Sequence, residues 1–115
     1  MKIKLRKEKM NKLITTTSHE IPGKKIKKVL GIVEGNTIRA RNLGRDVLAG
    51  LKNIIGGEIK SYTELTAQAR KESFNRMVNE AIKLKADAII NVRFATSVVM
   101  QGASEMLAYG TAVKL

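Results

Sequence analysis

The chain has 115 residues, which predicts a single domain, and its core must be largely aliphatic because it contains only two Phe, two Tyr and no Trp. It has no cysteine, which excludes disulfides, thiolate metal ligands and cysteine nucleophiles and fits a reducing cytoplasm. The formal net charge of +12 attracts nucleic acid and anionic surfaces, but the cations are spread along the whole chain, which favours a charged, solvated surface.

The first nine residues, Met1 to Lys9, carry five of the 22 Lys and Arg residues. No aromatic side chain is interleaved with these cations, and chain termini are commonly loosely held. We therefore expect a mobile basic extension at 1–9, followed by one domain at 10–115. No stretch approaches the roughly 18 apolar residues of a membrane span, and we expect a cytoplasmic protein that does not enter membranes.

Two strands are predicted before the middle of the chain. Leu13–Thr17 is rich in β-branched residues and predicts a short strand. Pro22-Gly23 is typical of a turn. The partial alternation of Lys24–Ala40 then predicts a second strand, with a bend at Gly31 and a turn or bulge at Glu34-Gly35-Asn36.

Two helices are predicted next. Asn42–Ile55 has an apolar face, an Asn suited to the N-cap, and Gly56-Gly57 at its C-terminal end, where a left-handed cap is common. In the second helix, Ser61–Lys85, the pair Ser61 and Glu64 is typical of a capping box. Its apolar residues recur at helical spacing. They are Ala67, Phe74, Met77, Val78, Ala81 and Leu84.

The last part of the chain predicts two more strands. Ala88–Phe94 follows the long helix, and a turn at Gln101-Gly102-Ala103 leads into Ser104–Leu115. One side of this last strand carries small residues, which fit against a helix or a neighbouring subunit. The order β-β-α-α-β-β predicts an α+β fold, with an antiparallel sheet and both helices on one side.

His19 beside Glu20 is the only candidate metal pair in the sequence, because the chain has a single histidine. Zinc takes three or four protein ligands, and harder cations need clustered carboxylates. We therefore predict no metal and no other cofactor, unless assembly brings copies of His19 together. One histidine and dispersed carboxylates also provide no recognisable nucleophile and base, so we do not expect an enzyme of ordinary acid–base type.

The best candidate for anion binding is the group Arg39, Arg41 and Arg45, where the second strand meets the first predicted helix. The main-chain amides of a helix N-terminus add to the attraction for an anion. Asp46 offers these arginines an ion pair instead, as does a neighbouring subunit. Arg93, in the strand after the long helix, completes the candidate ligand-binding set.

Several short segments occur in a specific combination and order between residues 10 and 115. They are Leu13–Thr17, Ile21–Gly23, Gly31–Val33, Asn42–Asp46, Ala49–Leu51, Gly56-Gly57, Tyr62–Glu64, Asn91–Phe94 and Ala108–Val113. In this pattern the chain resembles the YbjQ family, also named UPF0145 or DUF74. The resemblance implies small α+β subunits in ring-like homopentamers and a heavy-metal-binding label. Relatives tend to carry acids where this chain has Arg93, Ala95 and Val98, which argues against that label here.

We therefore expect a cytoplasmic, non-enzymatic homo-oligomer, most simply a pentamer, with a small ligand or ion bound at its subunit interfaces. Two alternatives stay open. The first is a nucleic-acid-binding protein that uses its basic surface, and the second is an enzyme whose site is shared between subunits. Binding to mixed oligonucleotides that weakens steeply with salt would distinguish the first alternative.

Overall fold

The computed structural model describes residue 8 and residues 12–40 and 57–115, with side chains described for 8, 12–38 and 63–115. The elements in these ranges follow the order β-β-α-β-β. They are β1 (Ile14–Thr15), β2 (Lys28–Ala40), α1 (Gly57–Lys83), β3 (Ala88–Met100) and β4 (Ala103–Lys114).

The predicted order β-β-α-α-β-β is wrong, since the part of the chain that the structure describes contains one helix beside the sheet. The first predicted helix, Asn42–Ile55, lies outside the described residues. Gly57, which was expected to follow that helix, instead begins α1. The fold remains an α+β arrangement in which α1 covers one side of a sheet.

The sheet is mixed, which corrects the prediction of a purely antiparallel one. Its four strands lie in the order β1-β3-β4-β2. β4 is antiparallel to both of its neighbours, whereas β1 is parallel to β3, with Ile14 opposite Ala88 and Thr15 opposite Ile89. A parallel pair needs a long crossover connection, and here the crossover contains β2 and α1.

α1 lies mainly over β2 and β4. Met77, Val78 and Ala81 of this helix are buried against the sheet. The sheet side of the same cluster consists of Val33, Ile89, Val92, Ala108 and Ala112. The small-residue side of the last strand is therefore confirmed as a packing surface for the helix.

Two glycines shape β2. The strand has a register shift between Val29 and Gly31, and Gly31 has a φ of 137°, so the predicted bend is confirmed. Gly35 was expected in a turn or bulge, but β2 continues through it in regular register with β4. Its role is close approach, because a Cβ at Gly35 would overlap the main chain of Ser73 and Met77 in α1.

The ends of α1 differ from the prediction. The helix begins at Gly57, so Ser61 lies inside it and is not its N-cap. It ends at Lys83, and Lys85 has the positive φ of 61° that is common just after a helix. On the exposed side of α1, Glu72 and Arg76 form an ion pair, with 2.6 Å between Glu72 Oε1 and Arg76 Nη2.

The two ends of the sheet are covered unequally. Near the start of β3, the face opposite α1 is covered by a second apolar cluster, in which Ala88, Ile90 and Val113 are buried. Ile14, Ile21, Ile26 and Leu115 pack against it. From Arg93 to Met100, in contrast, every residue of β3 is exposed.

Candidate functional site

The pair His19 and Glu20 lies on the surface of the loop after β1. Their side chains are 80% and 81% exposed, and His19 Nε2 lies 3.8 Å from Glu20 Oε1. Within residues 12–40 and 57–115, no group of three or more His, Asp or Glu side chains is close enough to hold a metal ion. One imidazole and one carboxylate, both open to water, do not fit a heavy-metal centre.

The structure does not bring the predicted anion-binding residues together where it describes them. Arg41, Arg45 and Asp46 lie outside the described residues, as does the side chain of Arg39. The main chain of Arg39 pairs with Ser104, whereas Arg93 pairs with Tyr109 on the other side of β4. At about 3.4 Å per residue, these two register positions are roughly 17 Å apart along the sheet.

Arg93 holds the loop that follows β1. Its Nη1 donates to the carbonyl oxygen of Thr17 at 2.8 Å and to that of Val92 at 2.9 Å. Next to it, the main-chain N–H of Val92 donates to the Thr16 oxygen, and that of Asn91 donates to the Ser18 oxygen. The described contacts therefore assign Arg93 a positioning role for residues 16–18.

The second half of β3, residues 93–100, is an apolar surface that the sequence reasoning missed. Val98 is 79% exposed and Met100 is 65% exposed, and Val99 and Phe94 are also well exposed. Phe94 stacks on Phe74 of α1, with 6.3 Å between the ring centroids. Among the described strands this half of β3 pairs only with β4, because β1 ends opposite Ile89. We call residues 93–100 the β3 extension.

β2 forms the other edge of the described sheet. It pairs with β4 alone among the described strands, and Ile32 and Ile38 on this edge are 78% and 58% exposed. A cleft of about 710 Å³ lies between β2 and α1. Arg76 crosses it, since its Nη1 donates to the Asn36 carbonyl oxygen at 2.5 Å. β2 therefore offers a long edge with a groove beside it.

A second cleft, of about 610 Å³, lies at the C-terminal end of α1. We call it the lysine cleft. It is lined by Lys12, Leu13, Ile14, Lys24, Ile82, Lys85, Ala86, Asp87 and Leu115. The Asp87 carboxylate accepts hydrogen bonds from the Leu115 N–H at 2.9 Å and the Lys114 Nζ at 3.2 Å. Both bonds lower the pKa of Asp87, and the bond from the Leu115 N–H has the larger effect.

No helix among the described residues is both long enough and apolar enough to cross a membrane. α1 is 27 residues long, but charged residues are distributed along its whole length.

Comparison with known proteins places these features in a family. Residues 13–115 match the YbjQ family model, which is described as "putative heavy-metal-binding". A UPF0145 protein of Archaeoglobus fulgidus is 57% identical over 103 residues, which cover 90% of this chain and 95% of that protein. A UPF0145 protein of Methanoculleus marisnigri is 58% identical over 103 residues, with 90% and 96% covered.

The fold is also found in a crystal structure. A protein of unknown function from Pediococcus pentosaceus, assigned to the DUF74 family, superposes with a TM-score of 0.59. The match covers 90% of this chain and 97% of that chain at 20% sequence identity, so it speaks for the shared fold alone. With a family model matched over residues 13–115 and relatives more than half identical over nearly their whole length, the chain belongs to the YbjQ family, also named UPF0145 and DUF74.

Proposed function

We propose that this chain is the subunit of a cytoplasmic homo-oligomer, most simply a pentameric ring, in which the β3 extension of one copy pairs with the β2 edge of the next. The observation that carries the proposal is the exposure of Val98, Val99 and Met100 on a strand whose outer edge has no described partner. Natural proteins rarely leave a long apolar edge strand open, because it is a template for pairing with another chain.

The two edges suit a head-to-tail contact. They lie on opposite sides of the described sheet, and each carries well-exposed aliphatic side chains, such as Val98 on β3 and Ile32 on β2. Two different patches that meet form a heterologous interface, which gives a ring if the rotation closes. The number five comes from the family resemblance. Fully burying an aliphatic side chain of this size is worth about 1.5–3 kcal/mol.

The test is the oligomeric state of the full chain, measured by native mass spectrometry and light scattering at micromolar concentration. Val98→Glu places a charge in the proposed interface, at a position that is 79% exposed in the single chain and so does not threaten folding. Burying that carboxylate without a partner costs about 2 kcal/mol or more, so we expect the dissociation constant between subunits to rise at least about 30-fold.

The matched control is Lys25→Gln, which changes the net charge by the same single unit at an exposed loop position. It should leave the oligomer intact. A wild-type chain that is monomeric at micromolar concentration would contradict the proposal, and so would a Val98→Glu variant that assembles as the wild type does. A ring with a different number of subunits would contradict only the proposed number of five.

We include in the proposal a small ligand or ion at the subunit interfaces, with Arg39, Arg41 and Arg45 as the candidate anion-binding residues. Arg93 is less suited to this role, because its guanidinium already binds the carbonyl oxygens of Thr17 and Val92. A triple Arg→Gln variant should lose an interfacial anion that mass spectrometry detects in the intact wild-type assembly. Loss of the oligomer itself would instead indicate ion pairs between subunits.

Three further experiments address location and the alternatives. A fluorescent fusion should distribute through the cytoplasm, as expected for a cysteine-free chain. Titration with mixed oligonucleotides at several salt concentrations tests nucleic-acid binding. A steep fall of affinity with salt would favour the nucleic-acid alternative over a purely assembling protein. Turnover of a substrate only by the assembled protein would favour an enzyme with a shared site.

A further inference from the structure

We propose that the lysine cleft binds a small amphipathic anion, that is, an organic molecule with an apolar body of several carbons and a single carboxylate or phosphate head group. The cleft has a volume of about 610 Å³, and protein sites for small molecules typically measure about 300–1,000 Å³. The site is separate from the β3 extension and from the groove beside β2, and it does not depend on the proposed assembly.

The apolar wall of the cleft lies where the two core clusters of the protein meet. Leu13, Ile82 and Ala86 pack against the cluster under α1. Ile14 and Leu115 pack against the cluster on the opposite face of the sheet. These side chains are only partly buried, so each presents some apolar surface to the cleft while its other side is held by the core. Such a wall is largely preformed, which reduces the entropic cost of binding.

The rim of the cleft is cationic. Lys12, Lys24 and Lys85 are exposed, and none of them forms an ion pair with another described residue. The acid in the lining, Asp87, is already engaged by the Leu115 N–H and the Lys114 ammonium group. These three ammonium groups, which have no ion-pair partner among the described residues, therefore attract an anion, and the Asp87 carboxylate does not neutralise them directly.

The combination of wall and rim defines the ligand. An ion pair with one exposed lysine is worth at most about 1 kcal/mol, so inorganic anions should bind weakly. An uncharged apolar molecule would bury its surface against the wall of the cleft but would form no ion pair with the ammonium groups. A ligand with both parts gains both contributions, and this is why we assign the cleft to such a ligand.

The experiment is isothermal titration of the full chain at low ionic strength with five probes, with octanoate and octyl phosphate kept below their micelle-forming concentrations. Octanoate and octyl phosphate carry both parts, octanol carries the tail alone, and acetate and inorganic phosphate carry the head alone. We expect one octanoate or octyl phosphate per chain, and binding at least about tenfold weaker for the other three probes. Which amphiphile binds more tightly distinguishes a carboxylate from a phosphate ligand.

The double variant Lys24→Gln/Lys85→Gln removes two rim charges and should weaken binding of the preferred amphiphile about tenfold. The matched control, Lys25→Gln/Lys71→Gln, removes two exposed charges that do not line the cleft and should change affinity less than about twofold. Thermal melting of both variants checks that they fold. Because the readout is the binding of these probes, a monomeric wild-type chain would contradict the proposed function without affecting this inference.

Three results would overturn the inference. They are an absence of binding by both amphiphiles, octanol binding as tightly as octanoate, and equal losses of affinity in the double variant and its control. The last result would mean that the lysines act only through the overall charge of the protein.

Discussion

At the scale of single residues, Gly35 shows how closely β2 passes beneath α1. A Cβ at this position would overlap main-chain atoms of Ser73 and Met77, which cannot rotate away. At Gly110, the nearest atoms to an added methyl group would be the Ile89 Cγ2 at 2.7 Å and the Ile90 carbonyl oxygen at 3.0 Å, so the overlap is smaller and only partly with the main chain. The two glycines therefore form a matched pair for measuring the cost of close approach.

We predict that Gly35→Ala destabilises the protein by more than about 3 kcal/mol, and that Gly110→Ala costs about 1–3 kcal/mol, since overpacking a core usually falls in that lower range. Urea denaturation followed by circular dichroism measures both. If Gly35→Ala cost no more than Gly110→Ala, the approach of α1 to β2 would be looser than described.

Asp87 links the end of β4 to the residues that follow α1. Its bonds to Leu115 and Lys114 lower its pKa in the folded protein below the ordinary value for a carboxyl group. A carboxyl group whose pKa is lower in the folded than in the unfolded state stabilises the folded protein at pH values above the unfolded-state pKa, which is about 3.9 for Asp. That contribution is lost as the pH falls through the lower, folded-state value.

We predict that Asp87→Asn lowers the free energy of unfolding at pH 7, and that its difference from the wild type shrinks as the pH falls below about 4. Urea denaturation at pH 7 and pH 3 measures this. Glu64→Gln is the control, because it removes one exposed carboxylate on α1, away from the proposed interface, that makes no described hydrogen bond or ion pair. If the difference in unfolding free energy between the wild type and Asp87→Asn were unchanged at pH 3, the lowered pKa of Asp87 would be contradicted.

At the scale of elements, β1 has only two residues, so its own pairing with β3 is short. Arg93 of β3 adds a hydrogen bond from its guanidinium to the Thr17 carbonyl oxygen, just after β1. We predict that Arg93→Ala lowers stability by about 1–2 kcal/mol, as expected for a hydrogen bond with a charged donor in a partly exposed setting. The effect should be local, with faster hydrogen exchange at the Asn91 and Val92 amides, which bond to the same loop.

Arg93→Lys is the companion variant, since it keeps the charge but not the planar donor geometry. It should lie between wild type and Arg93→Ala. Uniformly faster exchange along β3 and β4 would instead indicate a general loss of stability and no specific role in holding the loop.

At the scale of the whole molecule, the heavy-metal label of the family does not match the donor atoms that the structure describes. His19 and Glu20 are exposed and isolated from other ligands among the described residues. A ring could bring copies of His19 together, but Lys24 and Lys25 follow closely in sequence and disfavour a divalent cation.

We predict that the full, tag-free protein binds zinc, copper and nickel no more tightly than about 1 μM, equivalent to roughly −8 kcal/mol. Isothermal titration of the wild type and His19→Ala measures this. Stoichiometric binding that is tighter in the wild type and disappears in His19→Ala would contradict the prediction and support the family label.

The sequence by itself determined the parts of this protein that follow from local periodicity. The long amphipathic helix, the bend at Gly31 and the small-residue side of the last strand were all predicted, because each depends on residues a few positions apart. Local capping chemistry was less reliable. Ser61 suggested a helix start, yet α1 extends back to Gly57, since a cap is worth only about 1 kcal/mol and further helical turns can outweigh it.

Only the tertiary structure decided which elements pair and what remains uncovered. The parallel contact of Ile14 with Ala88, the bond from Arg93 to Thr17 and the close approach at Gly35 each join residues far apart in the sequence. The β3 extension and the lysine cleft arise in the same way, because a strand is exposed or a cleft is lined according to where distant elements end. Local periodicity does not determine where those distant elements end relative to one another, because long-range packing decides it.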